Sequence, residues 1–357
     1  MARHKPPFRI TPLRAATLGI AGAVVAGIGT FSIGNAAPAP APSAAPAPAP
    51  APNRSTAKPW TAEDAARFWT LQRMAQAQPL PQSRRQSSAD SAPPLRSMAS
   101  AASTASTASP AGTGGPSPVS TPFGGVPTVG RMYLMRGGGS YFCTASVVSS
   151  PHHDLVATAA HCLDQANPGE PIAFVPQWTK AKPQPYGIFP VDQDSSGLGR
   201  IWIDPRYYAE GRVQGDQWDV AFAELGAGSN GKQVQDVVGA NALVTGGPYT
   251  YGSVRLIAYP GSASRPLTCT NATTKFTPGN VPGSFLRIAC NGYSTGSSGG
   301  PFLIHVGGTR QTGDLVGLIG GWDTGGPTAD VSYSSYFGSD IRRLYNAAVS
   351  GIAPVRP

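Results

Sequence analysis

Short apolar runs separated by turn-forming residues fill the chain from Pro122 towards its C-terminal end. The runs are mostly four to seven residues long, are rich in Val, Ile, Phe and Tyr, and are divided by Gly, Pro, Asn or Asp. They cover residues 131–135, 141–148, 155–159, 187–191, 201–203, 220–225, 254–259, 286–289, 302–306 and 315–319. Many short strands at such spacing predict an all-β barrel or sandwich.

The last part of the chain has a helical period. Ile341, Leu344, Tyr345 and Ala348 fall at i, i+3, i+4 and i+7, which predicts an amphipathic helix over 339–348 with Ser339 as its cap. The apolar face of this helix would dock on the β structure. About 235 residues then belong to the β unit, enough for two small barrels that share an interface.

Residues 1–36 have the pattern of an export signal. A basic start with Arg3, Lys5, Arg9 and Arg14 precedes an uncharged stretch over 15–33, and Gly34-Asn35-Ala36 provides small residues for a signal peptidase. The uncharged stretch is long enough to act as a membrane anchor if it is not cleaved. Its many Gly and Ala residues make it weakly hydrophobic, which favours cleavage and secretion.

Residues 37–119 have the composition of a linker. The part over 37–52 is almost pure Ala-Pro, which predicts an extended, semi-rigid spacer. Residues 61–76 form a candidate helix, with Thr61 and Asp64 in capping-box spacing and Phe68, Leu71 and Ala75 on one face. This helix is either a pro-segment that packs on the folded domain or an isolated helix in a disordered tail.

The stretch over 82–119 is predicted to be disordered, since it is rich in Ser, Ala, Thr and Pro and has few apolar residues. Arg84-Arg85 is a candidate processing site in this stretch, although exposed Arg pairs are also common without that role.

The net charge of +9 does not indicate nucleic-acid binding, because of where the charges lie. Residues 1–119 carry 11 basic and 3 acidic groups, whereas residues 120–357 carry 16 and 15. The predicted folded domain is therefore almost neutral and offers no expected phosphate-binding surface.

All four cysteines lie in the predicted β unit. In an exported protein they are expected to form two disulfides, and of the three possible connectivities nearness in sequence favours Cys143 with Cys162 and Cys269 with Cys290. No cluster of His, Cys or carboxylate residues has the spacing of metal ligands, so we expect neither a metal nor another cofactor.

Ser298 is the candidate nucleophile. It lies in Gly296-Ser297-Ser298-Gly299-Gly300-Pro301, where glycines permit a tight turn and a close approach to a substrate. The amides of Gly296 and Ser298 could then face the negative charge that develops on a carbonyl oxygen. Taken alone, a Gly-Ser stretch of this kind is often only a loop.

His161 is the candidate general base. It follows the apolar run 155–159 and precedes Cys162, so a strand and a disulfide would hold its imidazole in place. The alternatives are weaker, since His152 and His153 lie in a polar turn and His305 lies within a predicted strand.

Asp219 is the candidate carboxylate that orients this base. It comes at the head of the apolar run 220–225, where it could accept the second ring N–H of a histidine. Asp216 is the competitor, but its Gly-Asp-Gln surroundings favour a solvated turn residue.

Three blocks in order, TAAHC, DVAF and GSSGGP, resemble the catalytic blocks of trypsin-like serine peptidases of the chymotrypsin fold, particularly their secreted bacterial branch. The resemblance covers roughly residues 123–348. It implies an all-β fold of two six-stranded antiparallel barrels, about 120–230 and 231–338, with a C-terminal helix over 339–348 and a disordered N-terminal region. It also implies a triad of His161, Asp219 and Ser298 in the cleft between the barrels, and an oxyanion hole formed by the Gly296 and Ser298 amides.

Two departures from trypsin itself bear on activation and specificity. Ser297 stands where trypsin has an Asp that pairs with a new N-terminus, which argues against activation by that ion pair. Gly292 stands six residues before the nucleophile, where trypsin has an acidic residue, so a preference for Arg or Lys is not implied. By resemblance, the primary pocket is lined by uncharged residues, namely Gly292, Tyr293, Gly320, Gly321 and Trp322.

These observations predict a secreted, monomeric serine endopeptidase that acts on proteins or peptides. One alternative is an inactive, protease-like binding protein at the cell surface, attached to the cell wall through the Ala-Pro spacer; retention of all three triad candidates argues against it. Another is a lipase or esterase, but such enzymes need GxSxG and the chain order Ser, Asp, His.

Overall fold

The computed structural model describes residues 60–81, 118–261 and 263–355, all within the unit Asn53–Pro357. The predicted signal segment 1–36 and the Ala-Pro spacer 37–52 lie outside the described residues. So does the stretch 82–119 that was predicted to be disordered, with its Arg84-Arg85 pair, except for its last two residues.

The described residues form a mostly β structure with a few short helices. Each of the ten apolar runs picked out in the sequence coincides with a strand. The strands are β1 Gln78–Pro79, β2 Thr121–Pro122, β3 Val129–Arg136, β4 Gly139–Val148, β5 Leu155–Thr158, β6 Ala173–Pro176, β7 Phe189–Pro190, β8 Ile201–Ile203, β9 Ala221–Glu224, β10 Ala242–Leu243, β11 Val254–Ala258, β12 Leu267–Asn271, β13 Thr273–Phe276, β14 Phe285–Ala289, β15 Pro301–Gly307, β16 Thr312–Leu318 and β17 Val331–Ser335. The helices are α1 Ala62–Phe68, α2 Leu71–Gln76, α3 Ala160–Leu163, α4 Pro205–Gln214, α5 Val234–Val238 and α6 Ser339–Val349.

Apart from β2, which pairs with β12 in the second half, the strands divide into two halves in chain order, as the resemblance implies. The first half is an eight-stranded sheet in the order β7-β6-β3-β4-β5-β9-β8, with β1 paired to β4. The second half contains a six-stranded sheet, β10-β16-β15-β11-β12-β2, and a three-stranded sheet, β13-β14-β17. The predicted all-β, chymotrypsin-like fold with a terminal helix is confirmed. Its first sheet exceeds six strands because the two-residue strands β1 and β7 extend it.

The hairpin of β3 and β4 is the centre of the first sheet. Its strands pair in register from Val129 opposite Ser146 to Arg136 opposite Gly139. Gly137 and Gly138 connect them at φ values of 55° and 81°, which is the positive-φ geometry of a tight two-residue hairpin turn. The hairpin thus fixes the position of Cys143 and Thr144 on β4, next to the residues discussed below.

The terminal helix forms as predicted, but its first turn differs. Ile341, Leu344 and Ala348 are buried in the main hydrophobic core, together with residues of the first sheet. The N-cap is Gly338, which has extended dihedral angles, and no side chain caps the helix. Ser339 was predicted as the cap, and this is wrong, because Ser339 is already the first helical residue.

The N-terminal segment over 60–81 is folded onto the first sheet. The capping box of Thr61 and Asp64 is present, but the predicted helix over 61–76 is two helices, because the chain breaks at Trp69 and Thr70 caps α2. The break rotates the second helix, so the predicted apolar face of Phe68, Leu71 and Ala75 is wrong. Leu71 is 59% exposed, whereas Ala65, Trp69 and Met74 are buried.

Candidate active site

His161 and Asp219 form a buried pair between α3 and the turn before β9. The Nδ1 atom of His161 lies 2.8 Å from Oδ2 of Asp219. The backbone amide of His161 donates to Oδ1 of the same carboxylate at 2.9 Å. The two side chains are 2% and 0% exposed. Asp219 therefore holds both the ring and the backbone of His161, which fixes the orientation of the imidazole.

The charge of Asp219 is maintained despite its burial. Burial raises the pKa of Asp219, but the charge of His161 and the hydrogen bonds from His161 and the Gly321 amide lower it, and the net pKa lies below its ordinary value. The Gly321 amide donates to Oδ2 at 2.9 Å. A carboxylate ionised in this setting can stabilise a positive charge on the neighbouring imidazole.

Two other histidines also contact carboxylates, but at the surface. His153 lies 2.6 Å from Asp236 with both side chains close to half exposed, and His305 lies 2.7 Å from Asp314 with its own side chain 76% exposed. Burial, rather than a carboxylate partner as such, distinguishes the His161 pair. The exposed pairs are screened by water and cannot fix a ring in the same way.

Asp216 is not the solvated turn residue that the sequence predicted. Its side chain is buried, its Oδ2 accepts the Asp323 amide at 3.0 Å, and its carbonyl accepts the Ser335 hydroxyl at 2.9 Å. The surrounding Gly-Asp-Gln turn is covered by residues 323 and 335, which local sequence does not reveal. Asp216 thus joins two loops, while Asp219 is the carboxylate that contacts His161.

Ser298 lies on a loop that is held against the first sheet. The Thr144 amide donates to the Ser298 carbonyl at 2.8 Å, and the Thr144 hydroxyl donates to the Gly296 carbonyl at 3.0 Å. The Thr144 carbonyl in turn accepts the hydroxyl of Thr158, three residues before His161. A short chain of hydrogen bonds thus connects the loop of Ser298 with the strand that leads to His161.

Gly299 permits this close approach. Its φ is +83°, and a Cβ atom at this position would lie 2.0 Å from the Thr144 carbonyl oxygen and 2.2 Å from the Thr158 hydroxyl. Its amide donates to the Ile319 carbonyl at 2.7 Å. No other residue could take both this dihedral angle and this space without moving the loop.

The directions of the two amides proposed for an oxyanion hole follow from hydrogen bonds to the carbonyl groups of the same peptide units. The Gly261 amide donates to the Thr295 carbonyl at 2.9 Å, and the Gly300 amide donates to the Ser297 carbonyl at 2.9 Å. In a trans peptide the N–H points opposite to the C=O. The Gly296 and Ser298 N–H groups therefore point away from Gly261 and Gly300 respectively.

The second ring nitrogen of His161 is a buried acceptor. Within the described part of the chain, Nε2 has no hydrogen-bond partner, so the Ser298 hydroxyl does not donate to it in this conformation. Hydrogen bonds of this type in free enzymes are often long and tighten when a substrate binds. The structure therefore holds the His161 ring through Asp219 and the Ser298 loop through Thr144.

A salt-bridge network that the sequence did not indicate supports α3. Arg212 contacts both carboxylate oxygens of Asp164 at 2.7 Å. Arg136 donates to the Cys162 carbonyl and to Asp164, both at 3.3 Å. Arg136 lies in β3, Arg212 lies in α4, and Asp164 directly follows α3. No sequence motif connects these residues, so their network, which we call the brace of α3, is seen only in the folded structure.

The two predicted disulfides are present. Cys143 on β4 is bonded to Cys162 on α3. Cys269 on β12 is bonded to Cys290 after β14. The first disulfide fixes the residue beside His161 to the sheet, as expected from the sequence. Among the described residues, no three or more His, Cys, Asp or Glu side chains are grouped closely enough to hold a metal ion.

The residues predicted to line the primary pocket lie in different surroundings. The Gly320 amide donates to the Tyr333 carbonyl, and Gly321 contacts Asp219 as described. Trp322 packs against Tyr333 at 4.7 Å between ring centroids. Tyr293 is 3% exposed and its hydroxyl donates to the Leu256 carbonyl, so its ring belongs to the core of the second half.

Gly292, the fifth of these residues, lies close to Ser120, which directly precedes β2. A Cβ atom at Gly292 would lie 2.8 Å from the Ser120 hydroxyl oxygen. Three of the five residues are glycines that offer only backbone to a ligand. Trp322 is the member of the set with a large side chain that is only partly buried, against the cluster that contains Tyr333.

Comparison with known proteins identifies the fold of this site. Residues 143–318 match the family model described as a trypsin-like peptidase domain. The protease Anisep from Arthrobacter nicotinovorans is 25% identical, with a TM-score of 0.52, over 65% of this chain and 99% of its own. The thermostable serine protease AL20 from an extremophilic microorganism is 25% identical, with a TM-score of 0.48, over 63% of this chain and 98% of its own. A search of curated protein sequences gave no significant match.

Proposed function

This chain belongs to the trypsin-like serine peptidases, and from that premise we propose that it is a secreted endopeptidase in which Ser298, His161 and Asp219 form the catalytic triad. The observation that carries the proposal is the buried pair of His161 and Asp219, with Nδ1 engaged by the carboxylate at 2.8 Å and Nε2 left as an acceptor. Proteins and peptides are the substrates, and the protein acts as a monomer.

The first half of the reaction forms an acyl-enzyme. The Ser298 oxygen attacks the carbonyl carbon of the scissile bond while its proton passes to Nε2 of His161. The Gly296 and Ser298 amides donate hydrogen bonds that stabilise the negative charge on the carbonyl oxygen. The C–N bond then breaks, and the proton on Nε2 passes to the leaving amine. Asp219 stays ionised and stabilises the imidazolium throughout.

The second half of the reaction restores the enzyme. A water molecule attacks the acyl carbon, His161 takes the water proton, and the bond to Ser298 breaks as that proton returns to the serine oxygen. The lowered pKa of Asp219 supports this role, because a carboxylate that remains ionised holds His161 in the required tautomer in both halves.

The proposed specificity is for an uncharged side chain on the acyl side of the bond. Gly292, Gly320, Gly321 and Trp322 carry no charge, and Tyr293 directs its hydroxyl to the Leu256 carbonyl rather than to a ligand. Profiling with a peptide library should show cleavage after uncharged residues. Cleavage only after basic or only after acidic residues would contradict this assignment.

Export is proposed on two grounds. The two disulfides need an oxidising compartment to form, and residues 1–36 have the pattern of a signal segment. Within the described residues, none of the helices has both the length and the apolar character needed to span a bilayer. Retention at the cell wall through the spacer 37–52 is part of the same proposal.

The triad is tested by labelling and by turnover. The protein should react with a fluorophosphonate probe, and Ser298→Ala should abolish the labelling. Ser298→Ala and His161→Ala should each lower kcat by about 10⁶-fold if the triad acts as a unit. His305→Ala is the matched control, since His305 also contacts a carboxylate but at the surface. Labelling that survives Ser298→Ala would place the nucleophile elsewhere.

A further inference from the structure

The N-terminal segment over 60–81 contains a short strand, β1, that pairs with the part of β4 that β5 does not cover. β1 pairs with β4 in parallel, with Gln78 opposite Tyr141 and Pro79 opposite Phe142. The Leu80 amide donates to the Phe142 carbonyl at 3.0 Å. This edge of β4 is open to β1 because β5 pairs with β4 only from Ser146 onwards.

This edge adjoins the loop of Ser298. Phe142 is two residues before Thr144, whose amide and hydroxyl bind the Ser298 and Gly296 carbonyls. The Pro79 ring lies between two loop glycines. A Cβ atom at Gly261 would lie 2.5 Å from Pro79 Cγ, and one at Gly296 would lie 3.0 Å from Pro79 Cβ. The segment therefore touches the residue whose amide is assigned to the oxyanion hole.

The described contacts of β1 are with β4 and with the glycines of the Ser298 and Gly261 loops. Tyr141 and Phe142 belong to the first sheet, on the side of the Cys143–Cys162 disulfide and His161. The residues assigned to the primary pocket, Gly292 and 320–322, belong to the second half. A peptide with its acyl side chain in that pocket would extend its leaving portion past His161, towards the edge that β1 occupies.

Buried aromatic residues anchor the segment. Trp69 is fully buried against Tyr133, with ring centroids 5.3 Å apart, and its indole N–H donates to the Pro171 carbonyl at 2.7 Å. The indole of Trp60 donates to the Ile172 carbonyl at 3.4 Å. Leu80, at the far end, is 2% exposed. The contacts thus continue from Trp60, before α1, to Leu80, directly after β1.

The composition of β1 and the residues after it is typical of a peptide bound to a sheet rather than of a permanent strand in the sheet. Pro79 and Pro81 have no amide N–H, so the outer edge of β1 offers few donors to a further strand. Proline also fixes φ, which lowers the entropy lost when the segment is ordered. The match to the peptidase family model begins at residue 143 and does not include the segment.

We propose that residues 60–81 are an inhibitor of this chain's own peptidase, bound along β4 so that the leaving portion of a peptide substrate is excluded from the cleft. The inference rests on the proposed function. It gives the segment a role that is separate from catalysis, since the neighbours described for Gly292, Gly320 and Gly321 do not include residues of the segment.

Two substrates distinguish inhibition from a structural role. One is an internally quenched peptide that extends several residues beyond the scissile bond, and the other is a methyl ester with the same acyl residues. In the full chain, the rate on the peptide relative to that on the ester should be low. Trp69→Ala/Leu80→Ala should raise this ratio at least tenfold by releasing the segment, and Leu80→Ala alone should raise it in part. Leu71→Ala is the matched control, since Leu71 lies on α2 but is 59% exposed.

A synthetic peptide of residues 60–81, added to the double variant, should again slow hydrolysis of the long peptide. An unchanged ratio in both variants, with normal fluorophosphonate labelling, would overturn the inhibitor role alone. A parallel loss of both rates with a lower Tm would also overturn it, because the segment would then be a structural part of the domain. Absence of labelling and turnover in every variant would overturn the proposed function and the inhibitor role together.

Discussion

At the scale of single residues, the charge of Asp219 connects the site to the stability of the fold. Its pKa is lower than in an unfolded chain, because the His161 charge and three hydrogen bonds outweigh burial. Such a carboxyl stabilises the native state at pH values above its unfolded pKa, about 3.9. The contribution is lost as the pH falls through the lower, folded value.

We therefore expect Asp219→Asn to change the acid dependence of stability. The difference in unfolding free energy between the parent and the variant should shrink as the pH falls below about 4. Urea unfolding between pH 2 and 7 measures it, in a Ser298→Ala background that prevents self-digestion. Asp314→Asn, in the exposed pair with His305, is the control. A difference that does not change with pH would contradict the assignment.

Gly299 offers a second prediction at this scale. Gly299→Ala should displace the Ser298 loop, because the new Cβ would lie 2.0 Å from the Thr144 carbonyl oxygen. We expect kcat to fall by more than 100-fold, since misplacement by about 1 Å can cost that much. Gly308→Ala is the control, since Gly308 has a similar φ of +70° with no atom within 4 Å. Kinetics with an ester substrate compare the two, and equal losses would show that the dihedral angle alone matters.

At the scale of elements, α3 depends on its neighbours. It has four residues, too few to be stable alone, and carries His161 between a disulfide and the Arg136–Asp164–Arg212 network. Asp164 has a side chain that is 7% exposed, whereas the two arginines are a little over one fifth exposed. The network is therefore worth less than a fully buried one.

Asp164→Ala should lower the free energy of unfolding by about 2 kcal/mol, below the 3–5 kcal/mol typical of fully buried pairs because water screens the arginines. We expect kcat to fall about tenfold as well, since the end of α3 loses its support. Thermal unfolding and kinetics check both. Asp236→Ala, which removes the exposed partner of His153, should change neither, and an equal effect would argue against the brace.

The elements also show what local sequence contains and what it lacks. His161 and Asp219 lie 58 residues apart, yet each could be picked out because each stands beside a buried apolar strand. β12 and β13 were not predicted, since Leu-Thr-Cys-Thr-Asn and Thr-Thr-Lys-Phe have few apolar residues and are strands because of their partners. The Asp164 network and the break between α1 and α2 at Trp69 were also not predicted, because they too depend on contacts with residues distant in sequence.

At the scale of the whole molecule, the two disulfides have different roles. Cys143–Cys162 lies within the first half and supports α3, whereas Cys269–Cys290 links the six-stranded sheet to the region after β14 of the three-stranded sheet. Contacts of the Ser298 loop with Thr144, and the bond from the Tyr259 amide to the Thr144 hydroxyl at 2.9 Å, join the halves instead.

Cys269→Ser/Cys290→Ser should therefore lower the free energy of unfolding by about 3 kcal/mol, the chain-entropy value for a loop of this length. Turnover at 25 °C should stay within a few-fold of the parent, because His161 and Ser298 keep their supports. Cys143→Ser/Cys162→Ser is the comparison, and it should reduce both stability and turnover. Unfolding midpoints and kcat of the two variants test the distinction, which equal losses of turnover would contradict.

The burial of Trp69 has an optical consequence. An indole enclosed by Tyr133 and hydrogen-bonded to a carbonyl is shielded from water, and it would become hydrated if residues 60–81 came away from the sheet. Tryptophan emission should then move to longer wavelength, and quenching by iodide should increase. Release of residues 60–81 from the sheet would thus be followed in real time by the protein's own fluorescence, with no substrate or dye.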